Sequence, residues 1–292
     1  MTLIDLFKKY KFSYKNYIAI MYNVRKQMMS GNENKIKVKL RDGQIKYMDL
    51  SQILDYTGRN YYKEYLKVMS DNGDITSLKY KDKHLNFYGA KNNGDIIEVF
   101  FNDDYKFLSS NNQIVLDIGA NIGDSSVYFA LNNAKMVIAL EPQPYSYNLA
   151  KKNINVNNLS DKIILINAGY GLDSEIKVDD KISGVGSKLT PSQNGKNIPI
   201  YSLKTIVNNY NLNGDLLLKM DCEGCEYNLL KEDDNILRKF KKMQIEYHYG
   251  YVKLEKYLLN CGFSVKHTKP TKREGHESNA SMCMGFIYAE KL

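Results

Sequence analysis

Asp117 and Glu141 each close an apolar run, and Gly119 and Gly123 lie between them. A carboxylate at the end of Ile114-Val-Leu-Asp-Ile118, followed by a glycine turn, is suited to a small ligand that comes close to the backbone. The glycine spacing is G-x-x-x-G. A dinucleotide pyrophosphate calls for G-x-G-x-x-G with its middle glycine against the phosphate, and that middle position is Asn121. Asp117 would repel a pyrophosphate but suits a cation such as the amino group of S-adenosylmethionine. Glu141, at the end of Met136-Val-Ile-Ala-Leu140, is placed to accept both hydroxyls of a ribose. The pair points to a methyl donor rather than to a nicotinamide cofactor.

A second group of candidates lies later in the chain. Asp221 ends the apolar run Leu216-Leu-Leu-Lys-Met220 and is read as touching the methionyl part of the donor or the reacting centre. His248 follows Gln244-Ile-Glu-Tyr247, and in an extended strand it shares a face with Glu246. A neutral histidine is the simplest base for a hydroxyl acceptor at physiological pH. His248 is therefore the candidate base or acceptor ligand, with Glu246 or Glu223 orienting it or the acceptor. Glu226 is read as an acid favoured by a helix start.

Five stretches, Leu116-Asp-Ile-Gly-Ala-Asn-Ile-Gly-Asp124, Leu140-Glu-Pro142, Ile198-Pro-Ile-Tyr-Ser-Leu203, Leu218-Lys-Met-Asp-Cys-Glu-Gly-Cys-Glu226 and Ile245-Glu-Tyr-His248, occur in an order that resembles the FkbM-type S-adenosylmethionine-dependent methyltransferases. The Lys-x-Asp-x-Glu-Gly-x-Glu pattern is the specific one, and Lys204 departs from the acid usual there. The resemblance implies S-adenosylmethionine as donor and O-methylation of a hydroxyl on a sugar, glycolipid or other small metabolite. It carries a donor set of Asp117, Gly119, Ala120, Asn121, Gly123, Asp124, Glu141, Pro142, Ala168 and Asp221. RNA or protein methylation is the second reading, and a binding protein without turnover the third.

Cys222 and Cys225 have the C-x-x-C spacing of redox and zinc sites. A zinc knuckle needs a second close pair, which Cys261 and Cys283 do not supply, so no metal set is assigned. A redox pair would begin a helix after a strand, a position this one can occupy. The acids framing it fit the methyltransferase pattern better.

Positioning these side chains requires an α/β fold, a doubly wound Rossmann-like methyltransferase sheet, mostly parallel with an antiparallel edge strand. Strands are expected at 114–118, 136–140, 163–169 and 215–220, with helices at 125–132, 144–157, 226–240 and 252–260 between and after them. Residues 109–292 are expected to form this domain. Residues 1–108 form an α+β extension that is a candidate cap on the acceptor side. Within it, helices are expected before Met29 and from Ser51 to Met69, a hairpin around Arg41-Asp-Gly43, and strands over 78–88 and 96–108 about the turn at 91–95. The segment Ser183 to Ser192 reads as a flexible stretch over the site.

The net charge of +8 is spread in short lysine pairs without an uninterrupted basic block. That favours a lysine-rich solvated surface, with nucleic acid ranked behind a small-molecule or glycan acceptor. Charged residues interrupt the first thirty positions, and no run reaches membrane-spanning length, so a soluble, cytoplasmic protein is expected.

Overall fold

The computed structural model describes residues 3–31, 34–62, 66–70, 74–90, 95–179, 195–273 and 282–292. The chain divides into two compact units, Met1–Met69 with Ser77–Leu85, and Ser70–Thr76 with Asn86–Leu292. Among the described residues no helix is long and apolar enough to cross a membrane.

The first unit contains α1 (Leu3–Ser13), α2 (Tyr17–Ser30), the antiparallel hairpin β1 (Ile36–Lys39) and β2 (Ile45–Met48), and α3 (Leu50–Tyr62). Tyr14, Ile20, Val38 and Ile53 lie at the centre of its core. The Tyr14 hydroxyl donates to the Ile53 carbonyl at 3.2 Å and accepts from Thr57 Oγ1 at 3.0 Å, so this buried phenol is satisfied on both counts. The helix expected to reach Met69 stops at Tyr62. Leu66–Ser70 is instead strand β3, which with β4 (Asp74–Tyr80) and β5 (Lys83–Tyr88) makes a sheet of order β3-β4-β5. Five residues such as Leu66-Lys-Val-Met-Ser70 read as helix or strand until a partner strand decides it.

After β5 the second unit continues with α4 (Ile96–Phe100) and a 3-10 turn at Lys106–Leu108, where a strand was expected. The reason lies in the spacing. Ile96, Val99 and Phe100 are buried together, an i, i+3, i+4 face that a strand would split between two sides. The turn at Lys91 to Gly94 and the stretch Ser183 to Ser192 lie outside the described residues.

Strands β6 (Ile114–Ile118), β7 (Met136–Leu140) and β8 (Ile163–Ile166) follow, with α5 (Asp124–Leu131) and α6 (Pro144–Val156) as crossovers. A small sheet of β9 (Gly169–Tyr170), β10 (Ser174–Val178) and β11 (Lys196–Tyr201) precedes α7 (Leu203–Asn209) and β12 (Leu216–Met220). Next come a 3-10 segment (Cys225–Lys231), α8 (Asp234–Leu237), β13 (Phe240–Tyr247), α9 (Val252–Asn260), β14 (Phe263–His267), β15 (Thr271–Arg273) and β16 (Met282–Lys291). The main sheet has the order β8-β7-β6-β12-β13-β16-β14, with β15 paired on β16. From β8 to β13 neighbours are parallel, and β16 runs antiparallel between β13 and β14. This is the doubly wound methyltransferase-type sheet expected from the sequence.

All five residues of β12 are buried, as are the last four of β6 and of β7, which suits central parallel strands covered on both faces. The single helix expected over 226–240 is broken because Glu232 and Asp233 are extended. Tertiary bonds hold the break: the Glu232 carboxylate accepts from the Leu203 N–H at 2.8 Å and the Tyr170 hydroxyl at 3.2 Å. On α6, Asn153 and Asn157 bond the backbone of Tyr88 and Asn86, so two helix side chains satisfy groups a further strand would otherwise pair.

Candidate active site

The strand order reverses between β6 and β12, the place where open α/β sheets bind ligands beyond their carboxyl ends. A cavity of about 440 Å³ lies there, within the range of small-ligand sites, and all of its lining residues belong to the second unit. Gly119, Asn121, Asp124, Glu141, Pro142, Ala168 and Asp221 from the expected donor set line it, as do Glu223, Glu246 and His248. Asp117, Ala120 and Gly123 do not.

Asp117 sits beneath the cavity. Its partner follows from the register, because Asp117 on β6 is paired with Lys219 on β12 and both are buried. Lys219 Nζ lies 3.1 Å from Asp117 Oδ1 and donates to the Gly119 carbonyl at 2.7 Å. The hydroxyls of Ser125 and Ser126 donate to Asp117 Oδ2 at 2.7 and 2.6 Å. Burial alone would lower the lysine's proton affinity, but Asp117, Asp221 and Asp124 outweigh it and keep the ammonium charged. The glycine turn is locked from the other side as well. A Cβ on Gly119 would stand 1.7 Å from the Asp221 carbonyl oxygen, and the residue has φ +77. Only glycine lets the β6 turn touch the end of β12 in this way.

Glu141 keeps the position expected of it. The N–H groups of Asn121 and Gln143 each donate to one of its oxygens at 2.8 Å, which aims the carboxylate while leaving lone pairs free for a diol. Burial pushes its pKa up to about 7, opposed by those two hydrogen bonds. Gln143 also lines the cavity, is 6% exposed, and neither its side-chain oxygen nor its nitrogen has a hydrogen-bond partner. A buried carboxamide left open on both sides fits a ligand with an adjacent donor and acceptor, which adenine offers.

On the opposite wall His248, 1% exposed, is held at both ring nitrogens. Nδ1 lies 3.1 Å from Glu226 Oε1 and Nε2 3.3 Å from Glu223 Oε2. Glu226 is wholly buried and also accepts from the backbone N–H groups of His248 at 2.9 Å and Gly224 at 2.8 Å. It therefore fixes the histidine, a stronger role than that of a helix-start acid. Burial works against the imidazolium, but Glu226, Glu223 and Asp221 overcome it and hold the His248 pKa up to about 9. A neutral histidine base was expected; the acids around the ring favour its charged form instead. Burial and the neighbouring Asp221, to which it is hydrogen-bonded, raise Glu246 to about 8. Asp221, Glu223 and His248 bring one ligand-type atom each within 4.8 Å of one another.

The chain matches the Methyltransferase FkbM domain over residues 117–265, half of its length. It belongs to that family. S-adenosylmethionine is accordingly its methyl donor, and the cavity residues fit that molecule. Solved structures with a similar fold include precorrin-6y C5,15-methyltransferase from Geobacter metallireducens GS-15, at 14% identity, covering 64% of this chain and 85% of that one with a TM-score of 0.36. Another is M. jannaschii TYW2 in complex with AdoMet, at 17% identity, 77% and 90% coverage, and a TM-score of 0.39. No curated protein matches the chain.

Sequence reasoning gave no site role to Lys219, although it stands inside the most specific pattern, nor to Gln143. It also passed over Asp95, at the end of the stretch read as a turn, and Asp104 and Tyr105, in the segment read as a strand, all of which line the cavity. The i, i+3, i+4 spacing of Ile96, Val99 and Phe100 was the available signal.

Proposed function

We propose that this FkbM-type enzyme methylates a hydroxyl oxygen on a sugar, glycolipid or other small metabolite. The observation that carries the reading is the neighbouring Asp221 and Glu246 carboxyl pair, set in the cavity wall with His248. When bound, S-adenosylmethionine supplies an electrophilic methyl group. Glu141 and Gln143 are placed to hold its adenosine, with Asn121 and Asp124 completing the wall on that side. Asp117 acts indirectly, by fixing Lys219 and through it the glycine turn. Asp221 and Glu246 would take up the proton that the acceptor hydroxyl gives up on methylation. His248 stays protonated, and its charge helps a carboxylate in this pair to exist, since the histidine lowers the proton affinity of Glu246.

The lining also argues about the acceptor. Asp95, Glu98, Asp104, Asp221, Glu223 and Glu246 are all acidic, which favours a neutral polyol over a phosphate backbone. Transfer from donor labelled with ¹³C in its methyl group should give a product whose methyl carbon reports a methyl ether by NMR. An N-methyl or C-methyl signal from the preferred acceptor would refute the reading. Initial rates should also be insensitive to salt, whereas an RNA acceptor would show a steep salt dependence.

The donor side makes its own prediction. Gln143→Leu should weaken binding of S-adenosylhomocysteine about 5- to 15-fold in calorimetry, the loss of roughly one net hydrogen bond. An unchanged affinity would remove Gln143 from the donor site.

A further inference from the structure

Cys222 and Cys225 are joined by a disulfide, and both line the cavity. They occupy the two variable positions that flank Glu-Gly in the Lys-x-Asp-x-Glu-Gly-x-Glu pattern, so the acids there do not need cysteines beside them. The bridge closes over a two-residue turn, Glu223-Gly224, and both of those residues lie in the left-handed region, at φ +56 and φ +115. Glycine takes that conformation freely. A glutamate holds it only where its surroundings impose it. This same glutamate reaches His248 Nε2, and Gly224 bonds the Glu226 carboxylate that grips His248 Nδ1.

We propose that Cys222–Cys225 is a reversible thiol–disulfide site which sets the position of Glu223 and thereby the charge environment of His248. Closed, the bridge fixes the turn and keeps Glu223 against the ring. The co-reactant is a dithiol. One of its thiolates attacks a bridge sulfur, the S–S bond breaks and a mixed disulfide forms. The second thiol of the reductant then displaces it. The reductant leaves as a disulfide, and Cys222 and Cys225 take up two electrons and two protons as thiols. Once open, the turn relaxes from the left-handed conformation at Glu223 and the carboxylate withdraws from Nε2. The redox step stands by itself, whereas its effect on turnover rests on the methyl-transfer reading.

The test uses the full-length protein with and without dithiothreitol. Of the four cysteines, two should alkylate in protein denatured without reductant and all four after reduction and denaturation, with mass mapping placing the difference at Cys222 and Cys225. In NMR titrations the His248 ring should lose its proton at lower pH after reduction, return on reoxidation, and behave as in the reduced protein in Cys222→Ser/Cys225→Ser regardless of redox state. Alkylation of both cysteines without reductant would overturn the proposal, as would one His248 titration curve shared by both redox states of the wild type. If the proton shift is present but neither state transfers methyl groups, the functional reading fails and the redox site stands.

Discussion

Glu246→Gln should lower the turnover number by about 10²- to 10⁴-fold, the range that a positioned acid–base group contributes, with the affinity for S-adenosylhomocysteine unchanged. The choice of glutamine matters. Burial and the hydrogen bond with Asp221 raise the Glu246 pKa to about 8, so at neutral pH the residue rests as the neutral acid, which glutamine resembles in shape and charge. The substitution preserves the resting arrangement and removes only the proton-accepting state. The sign of the pH dependence follows. Turnover needs the ionised carboxylate, so the wild-type rate should climb as pH rises through about 8. His248→Gln removes the cation that favours that carboxylate, and the climb should move to higher pH. A histidine base predicts something different, namely loss of the rising limb altogether in His248→Gln. Steady-state kinetics between pH 6 and 10, paired with calorimetry, separates the two.

The second large effect concerns stability. Lys219→Met should destabilise the protein by about 3–5 kcal/mol, because it leaves Asp117 buried without its counter-charge. The two serine hydroxyls that remain satisfy one carboxylate oxygen only. The variant should also bind donor poorly, since the Gly119 carbonyl loses its donor and the turn at the cavity floor loosens. Adding Asp117→Leu in the same chain should recover part of the stability, as replacing a whole buried pair is far milder than breaking it. Urea unfolding monitored by circular dichroism measures both. A loss under 1 kcal/mol for the single variant would show that the pair is not the clamp described.

Much of the sheet was legible because parallel central strands announce themselves. Val115 to Ile118, Val137 to Leu140 and Leu216 to Met220 are apolar or inward-facing throughout, and acids at or just beyond their ends mark the ligand side. Glu141, Asp221, Glu223, Glu246 and His248 could be nominated from those positions and do share one cavity. What the sequence could not disclose depends on register and on charge balance. Asp117 reads as a ligand for a cationic group until β12 is laid beside β6 and Lys219 falls directly opposite it. His248 reads as an ordinary neutral histidine until Glu226, a residue assignable to a helix start, and Glu223 are found against its two ring nitrogens, where they favour the charged form. The strand expected at Ile96 failed for a local reason, since two adjacent isoleucines mask the helical spacing completed by Val99 and Phe100. The broken helix near Glu232 failed for a distant one, as its hydrogen-bond partners come from Tyr170 and Leu203.

The protonation state of His248 tests the account most directly. In ¹⁵N-labelled protein saturated with S-adenosylhomocysteine, both ring nitrogens of His248 should report protonation at pH 7.5, with the transition near pH 9. A neutral ring at pH 7.5, titrating close to 6.5, would contradict the proposed division of labour and return the role of base to the histidine.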